Sequence, residues 1–130
     1  MMDAVTPAED TVRALVVAYC EAVYYARADV FEKMCHERFQ MTLIEPDGAT
    51  FWDKPGYLDR VRGRSAFPGD ASYEILSVDV AGDEIARAHL WVDVPPVRYE
   101  DHLGFVKVDG QWKLLTKVFR TMGPAEEAQP

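Results

Sequence analysis

One change of period constrains this chain more than any other feature. In the first half, apolar residues mostly recur at three- and four-residue steps. From Tyr73 to Arg120 they recur at every second position. Helical periodicity followed by strand periodicity predicts an α+β domain in which helices come first and a sheet follows, not the alternating order of an α/β fold.

The segment "TPAED" predicts a helix start, with Thr6 as N-cap, Pro7 at the first helical position and Glu9 in the capping-box position. Val12, Leu15, Val16, Tyr19 and Val23 then form one apolar face, to about Ala26. "RADVFEKMCH" reads as a second, short helix capped by Asp29, with Phe31 and Met34 inward. Arg38 to Glu45 reads as a strand, closed by Pro46 and the Asp47-Gly48 turn. "DKPGYLDRVRG" reads as a third helix with Asp53 as N-cap. "YEILSVDV" and "EIARAHLWVDV" form a hairpin. A three-residue loop, Ala81-Gly82-Asp83, sets Leu76, Val78 and Val80 beside Ala86, Ala88 and Leu90. Pro95-Pro96 breaks the chain, and a last hairpin from Arg98 to Arg120 turns at Asp109-Gly110. The expected order is ααβαββββ: three helices covering a curved antiparallel sheet. One domain is expected over residues 6–121, with tails at 1–5 and 122–130.

At 130 residues, with 48% hydrophobic and 28% charged residues, the chain can bury one core without a metal or disulfide staple. Its net charge of -8 repels phosphate backbones and anionic membranes, so neither nucleic acid nor a membrane is an expected partner. The run "ALVVAYCEAV" is too short to span a bilayer. The acidic residues before it are unlike a signal peptide. Cys20 and Cys35 form no close pair and read as free thiols, so the cytoplasm is the expected location. The three histidines, at 36, 89 and 102, lack metal-ligand spacing. No metal and no cofactor are expected.

The stretches "VVAYCEAV", "CHERFQMTLIEPDG", "EILSVDVAGDEIARAHLWVDV" and "YEDHLGFVKVDGQWKLLTKVF" resemble the nuclear transport factor 2-like superfamily over about residues 7 to 120. Its relatives include ketosteroid isomerase, polyketide-cyclase-like proteins and a branch named Putative lumazine-binding, which the last two stretches resemble most. The resemblance implies a cone-shaped α+β fold, open at one end and often dimeric through the outer face of its sheet. It also implies three site positions for that branch: His36 before the first strand, Asp101 on the penultimate strand and Lys117 on the last. Likeness to ketosteroid isomerase implies Tyr19 as an oxyanion donor, Glu45 as a general base and Asp101 as a second donor. This chain has Glu where that enzyme has Asp.

Two registers are open for the last hairpin. A three-residue loop, Val108-Asp109-Gly110, puts Asp101 opposite Lys117, both facing the same way beside Tyr99, Leu103 and Leu115; this is the expectation. A two-residue loop puts Asp101 opposite Val118 and Lys117 on the other face. Asp101 and Lys117 then read either as a structural ion pair or as polar anchors inside a cone. Phe51, Trp52 and Tyr57 fall where a loop could lid the open end. His89 and Trp91 share a mixed aromatic and charged strand face suited to a dimer interface.

The expected function is binding of a small apolar or aromatic molecule, with catalytic-type groups Asp101, Tyr19 and Glu45 and ligand contacts from His36, Trp52, Tyr99, Leu103 and Lys117. A cofactor-free isomerase, cyclase or dehydratase is the second reading. A dimeric scaffold with a filled pocket is the third.

Overall fold

The computed structural model describes residues 6–125. Helix α1 spans Pro7–Tyr25. The Thr6 hydroxyl oxygen accepts the Glu9 amide at 3.0 Å, and Ala26 closes the helix in the left-handed region at φ 55°. Helix α2 covers Ala28–Met34; it starts after Arg27 with no side-chain cap, so Asp29 lies inside the first turn instead of capping it. Strand β1 runs Cys35–Glu45, three residues earlier than expected. The segment after the Pro46-Asp47 turn forms β2, Gly48–Asp53, a strand absent from the sequence reading. Helix α3, Lys54–Arg62, begins as expected, with Asp53 Oδ1 accepting the Gly56 amide at 3.0 Å.

The remaining strands are β3 (Tyr73–Ala81), β4 (Ile85–Val94), β5 (Val97–Val108) and β6 (Gln111–Pro124). All six strands form one sheet in the order β2-β1-β6-β5-β4-β3. The expectation of an antiparallel sheet needs one correction: β1 and β6 are parallel, every other pair is antiparallel, and the sheet is mixed and open. Strand β6 runs past residue 121 to Pro124, and the Ala125 amide donates to Pro96 O at 3.0 Å, so residues 122–124 belong to the sheet and Ala125 is tied to its end. The expected tails at 1–5 and 126–130 lie outside the described residues.

Both long hairpins carry bulges that alternation alone does not reveal. The β3–β4 loop is the expected length but sits at Gly82-Asp83-Glu84, closing an Ala81–Ile85 pair. Val80 faces Ala86 and Val78 faces Ala88; beyond that the register shifts, and Ile75 faces Leu90. Leu76 is the extra residue and is pushed outward, 44% exposed. The β5–β6 loop has two residues, Asp109-Gly110, both at positive φ, the geometry of a type I′ turn. Phe105 faces Leu114 but Gly104 faces Thr116, so Leu115 is inserted. Asp101 therefore lies opposite Phe119, and Lys117 opposite Leu103; neither register considered from sequence is the one formed.

The insertion fixes which β6 residues face the helices. Before it, Trp112 and Leu114 are buried; after it, Lys117 and Phe119 are. Gly104 is required opposite this shift, because a Cβ there would lie 2.5 Å from Thr116 Oγ1. The concave face carries α1 against β3 and β4, and α3 against β1 and β2. Val12, Val16, Phe31, Phe39, Leu90, Leu103 and Leu114 are buried to 2% exposure or less. Each such side chain contributes about 1.5–3 kcal/mol, which is what holds the helices against a twisted, one-faced sheet.

Candidate functional site

Among the described residues four charged side chains are buried, Lys54, Asp93, Asp101 and Lys117, and the last two come together at the cavity. Asp101 on β5 is fully buried, and Lys117 on β6 is 7% exposed. The Tyr19 hydroxyl, on the buried face of α1, donates to Asp101 Oδ2. Among the described residues Asp101 Oδ1 has no hydrogen-bond partner, Lys117 included. Lys117 Nζ donates instead to the Tyr57 hydroxyl of α3 at 3.4 Å. It also sits 4.6–5.3 Å from the ring centroids of Tyr19, Tyr57 and Phe119. The π faces and the one hydroxyl favour the charged form of Lys117 in the absence of a direct carboxylate contact.

Asp101, Lys117, Tyr57 and Phe119 border a cavity of about 90 Å³ that opens between α3 and the sheet. Its walls are aliphatic residues of α1, β1, α3 and β4, with Tyr57, Tyr99 and Phe119. Its charged lining is Asp101, Lys117, Arg60 and Arg64, three cations to one carboxyl in a chain of net charge -8. Arg64 Nη1 donates to Val23 O at 3.1 Å, and the Arg60 guanidinium lies 4.6 Å from the Trp52 ring.

Burial dominates the electrostatics. It pushes the Asp101 carboxyl above the ordinary aspartate range, opposed by the Lys117 charge and the Tyr19 hydrogen bond. Burial pulls the Lys117 ammonium down, opposed by Asp101. Burial, then the Asp101 charge, drives the Tyr19 phenol well above 10, so it remains a donor at neutral pH. Desolvation lowers Arg64 as well. The result is a pocket lined by a carboxyl with one unpartnered oxygen, its other oxygen held by the Tyr19 phenol, and by an under-solvated cation.

The fold brings together Tyr19, Asp101 and Lys117, with Tyr99 on the wall. Leu103 is part of the packed core and does not line the cavity. Trp52 is half-buried behind the rim, 6.4 Å from the Phe119 ring. Glu45 ends β1 exposed, outside the cavity lining. His36 lies at the start of β1, with Nδ1 accepting the Arg38 amide at 3.0 Å, and lines a separate surface groove with Lys54 and Lys113. The sequence reading missed Tyr57 as a polar partner, and it missed Arg60 and Arg64. Their signal was the spacing of 57, 60, 61 and 64 along one helical face and its continuation.

Helices packed on the concave side of an open six-stranded sheet, with polar groups at the centre of that concavity, define a nuclear transport factor 2-like protein. The chain belongs to the family described as Putative lumazine-binding, whose profile matches residues 7–120. No curated protein matches the chain. Among solved structures, it is similar to a nuclear transport factor 2-like protein of unknown function from Silicibacter pomeroyi, at 22% identity and TM-score 0.79, covering 90% of this chain and 99% of that one. A second such protein, from Shewanella baltica, is 19% identical with TM-score 0.78, covering 91% and 98%. A putative scytalone dehydratase from Novosphingobium aromaticivorans is 16% identical with TM-score 0.66, covering 90% and 85%. At these identities the likeness is one of fold. No helix of the described residues is long and apolar enough to cross a membrane.

Proposed function

We propose that the protein binds a small, aromatic or otherwise planar molecule inserted between Tyr99, Lys117 and Asp101, bearing a hydrogen-bond donor for Asp101 Oδ1 and an anionic or hydrogen-bond-accepting group for Lys117. The observation that carries this reading is the buried Asp101 Oδ1, unpartnered on the wall of a cavity that also holds Lys117. A buried polar atom without a partner costs about 1–3 kcal/mol, which a guest or an ordered water supplying a proton would offset. The excess of cations in the lining favours a guest carrying negative charge. The volume of about 90 Å³ sets the size: it is well below the ~300–1,000 Å³ of a drug-sized site. The guest is therefore a single small ring, or one end of a larger molecule whose remainder lies at the mouth beside Arg60 and Trp52.

Acid–base catalysis is the second reading, favoured by the upward-shifted carboxyl of Asp101 beside the Tyr19 phenol. The neighbour described as a putative scytalone dehydratase is consistent with such chemistry on this fold. Glu45, exposed at its strand end, lends it no base. The reading includes a homodimer through the convex sheet face, where Ile44, Ile85 and Val118 are 46%, 55% and 46% exposed. It also places the protein in the cytoplasm, since both cysteines are unpaired and buried.

A thermal-shift screen of small aromatic acids against neutral analogues of the same shape tests the binding reading. Acids should stabilise the native protein and lose most of that effect in Lys117→Met. Stabilisation by no compound of either class would overturn it.

A further inference from the structure

On the convex face of the sheet, opposite the cavity, three side chains converge that the sequence spacing did not connect. His89 on β4 and His102 on β5 occupy directly paired cross-strand positions, and Glu100 precedes His102 by two residues on the same face. The imidazole centroids are 4.5 Å apart. His89 Nε2 lies 2.6 Å from Glu100 Oε2. One ligand atom from each of the three residues falls within a set no wider than 4.8 Å. We propose that His89, Glu100 and His102 form a site for a first-row divalent transition ion, zinc foremost, built on two rigid strands and independent of the cavity.

The geometry is close to what such an ion requires. Zn–N and Zn–O bonds of about 2.0–2.2 Å place tetrahedral ligand atoms about 3.4 Å apart. The present spacings, 2.6 Å between His89 Nε2 and Glu100 Oε2 and no more than 4.8 Å within the set, bracket that value. Two imidazoles and one carboxylate are a borderline donor set suited to zinc, cobalt or nickel and poorly suited to magnesium or calcium. The carboxylate is also held for one-oxygen ligation: Arg120 Nε forms an ion pair with Glu100 Oε1 at 3.3 Å, leaving Oε2 for the imidazole side. In the single chain, partial exposure of 34% for the His89 side chain and 21% for Glu100 gives the ion a path in and leaves a coordination position for water; in the homodimer read above, the same site would lie at the seam. His36, on the far side of β1, takes no part and serves as the control.

Calorimetric titration of the metal-free protein with zinc chloride tests the site. One ion should bind per chain, and His89→Ala and His102→Ala should each weaken binding at least tenfold, while His36→Ala should leave it unchanged. Arg120→Ala should weaken it less than either. With cobalt, the wild type should show the visible d–d absorption of an imidazole-ligated ion, and the double variant His89→Ala/His102→Ala should not. Since both histidines lie on the partly exposed face, circular dichroism of the variants should match the wild type. Nitrogen-15 spectra of the wild-type imidazoles, which need no variant, should show zinc-dependent shifts at His89 and His102. Absence of stoichiometric binding, survival of binding in the double variant, or zinc-dependent shifts confined to His36 would overturn the proposal.

Discussion

The Tyr19 hydroxyl donates to Asp101 Oδ2, tying the first helix to the fifth strand through the middle of the core. The phenol is fully buried, and its edge packs on Phe31 at 5.8 Å. The contact is therefore a structural tie that holds Asp101, which lines the cavity, in place.

Tyr19→Phe removes the donor and leaves both oxygens of a buried carboxyl unpartnered. The expected cost is about 1–3 kcal/mol in urea unfolding at neutral pH. The Asp101 carboxyl should also move further up, because the lost hydrogen bond had held it down. Carbon-13 titration of the carboxyl measures the second effect independently of the first. An unchanged or lowered value would separate Tyr19 from Asp101.

The pH dependence of stability carries a defined sign. Asp101 holds its proton more tightly in the folded protein than at the ordinary value of 3.8. As the pH rises above 3.8 the unfolded chain releases that proton first, so the contribution of Asp101 to stability falls until the folded carboxyl also ionises, and is level beyond. The wild-type minus Asp101→Asn difference in unfolding free energy should follow this decline. A difference that rises with pH would mean the carboxyl is stabilised as a charge.

Lys117→Met removes the cation that opposes burial at Asp101, and the carboxyl should shift further upward. Methionine fills similar space among Tyr19, Tyr57 and Phe119, so the variant should remain folded. A near-native far-ultraviolet spectrum with a raised Asp101 titration is the expected pair of results. A spectrum matching the wild type with an unmoved titration would show that the two charges are not coupled.

Cys20 and Cys35 are both buried, and burial pushes the Cys35 thiol up to about 12 and Cys20 higher still. Neither should react with a disulfide reagent at pH 8 in the native protein, while denaturant should release two thiols. Rapid native labelling of either would contradict their placement in the core.

The three helices and five of the six strands among the described residues were legible because each rests on a local signal. Thr6 and Asp53 are caps with small oxygen-bearing side chains before Pro-containing first turns, and both bond as that chemistry requires. Strand β2 was hidden because Gly48–Asp53 is largely exposed and shows no buried alternation. The register of Asp101 was hidden for a different reason. A bulge is set by two strands at once, and its marks here, the adjacent Leu114-Leu115 and the facing Gly104, have meaning only after the strands are paired. Lys117 was read as an inward residue through a three-residue loop; it reaches the cavity through a two-residue loop and an inserted Leu115. Arg60 and Arg64 join the site by tertiary packing of α3 and the residues after it, which no strand pattern reports.

The most direct test of the account is the amide spectrum of the labelled protein titrated with small aromatic carboxylates. Saturable shifts centred on Tyr99, Asp101, Lys117 and Phe119, and lost in Lys117→Met, are the predicted result. Titrations in which no acid moves those amides, or in which saturable shifts fall only on the convex face, would contradict a ligand site in the concavity.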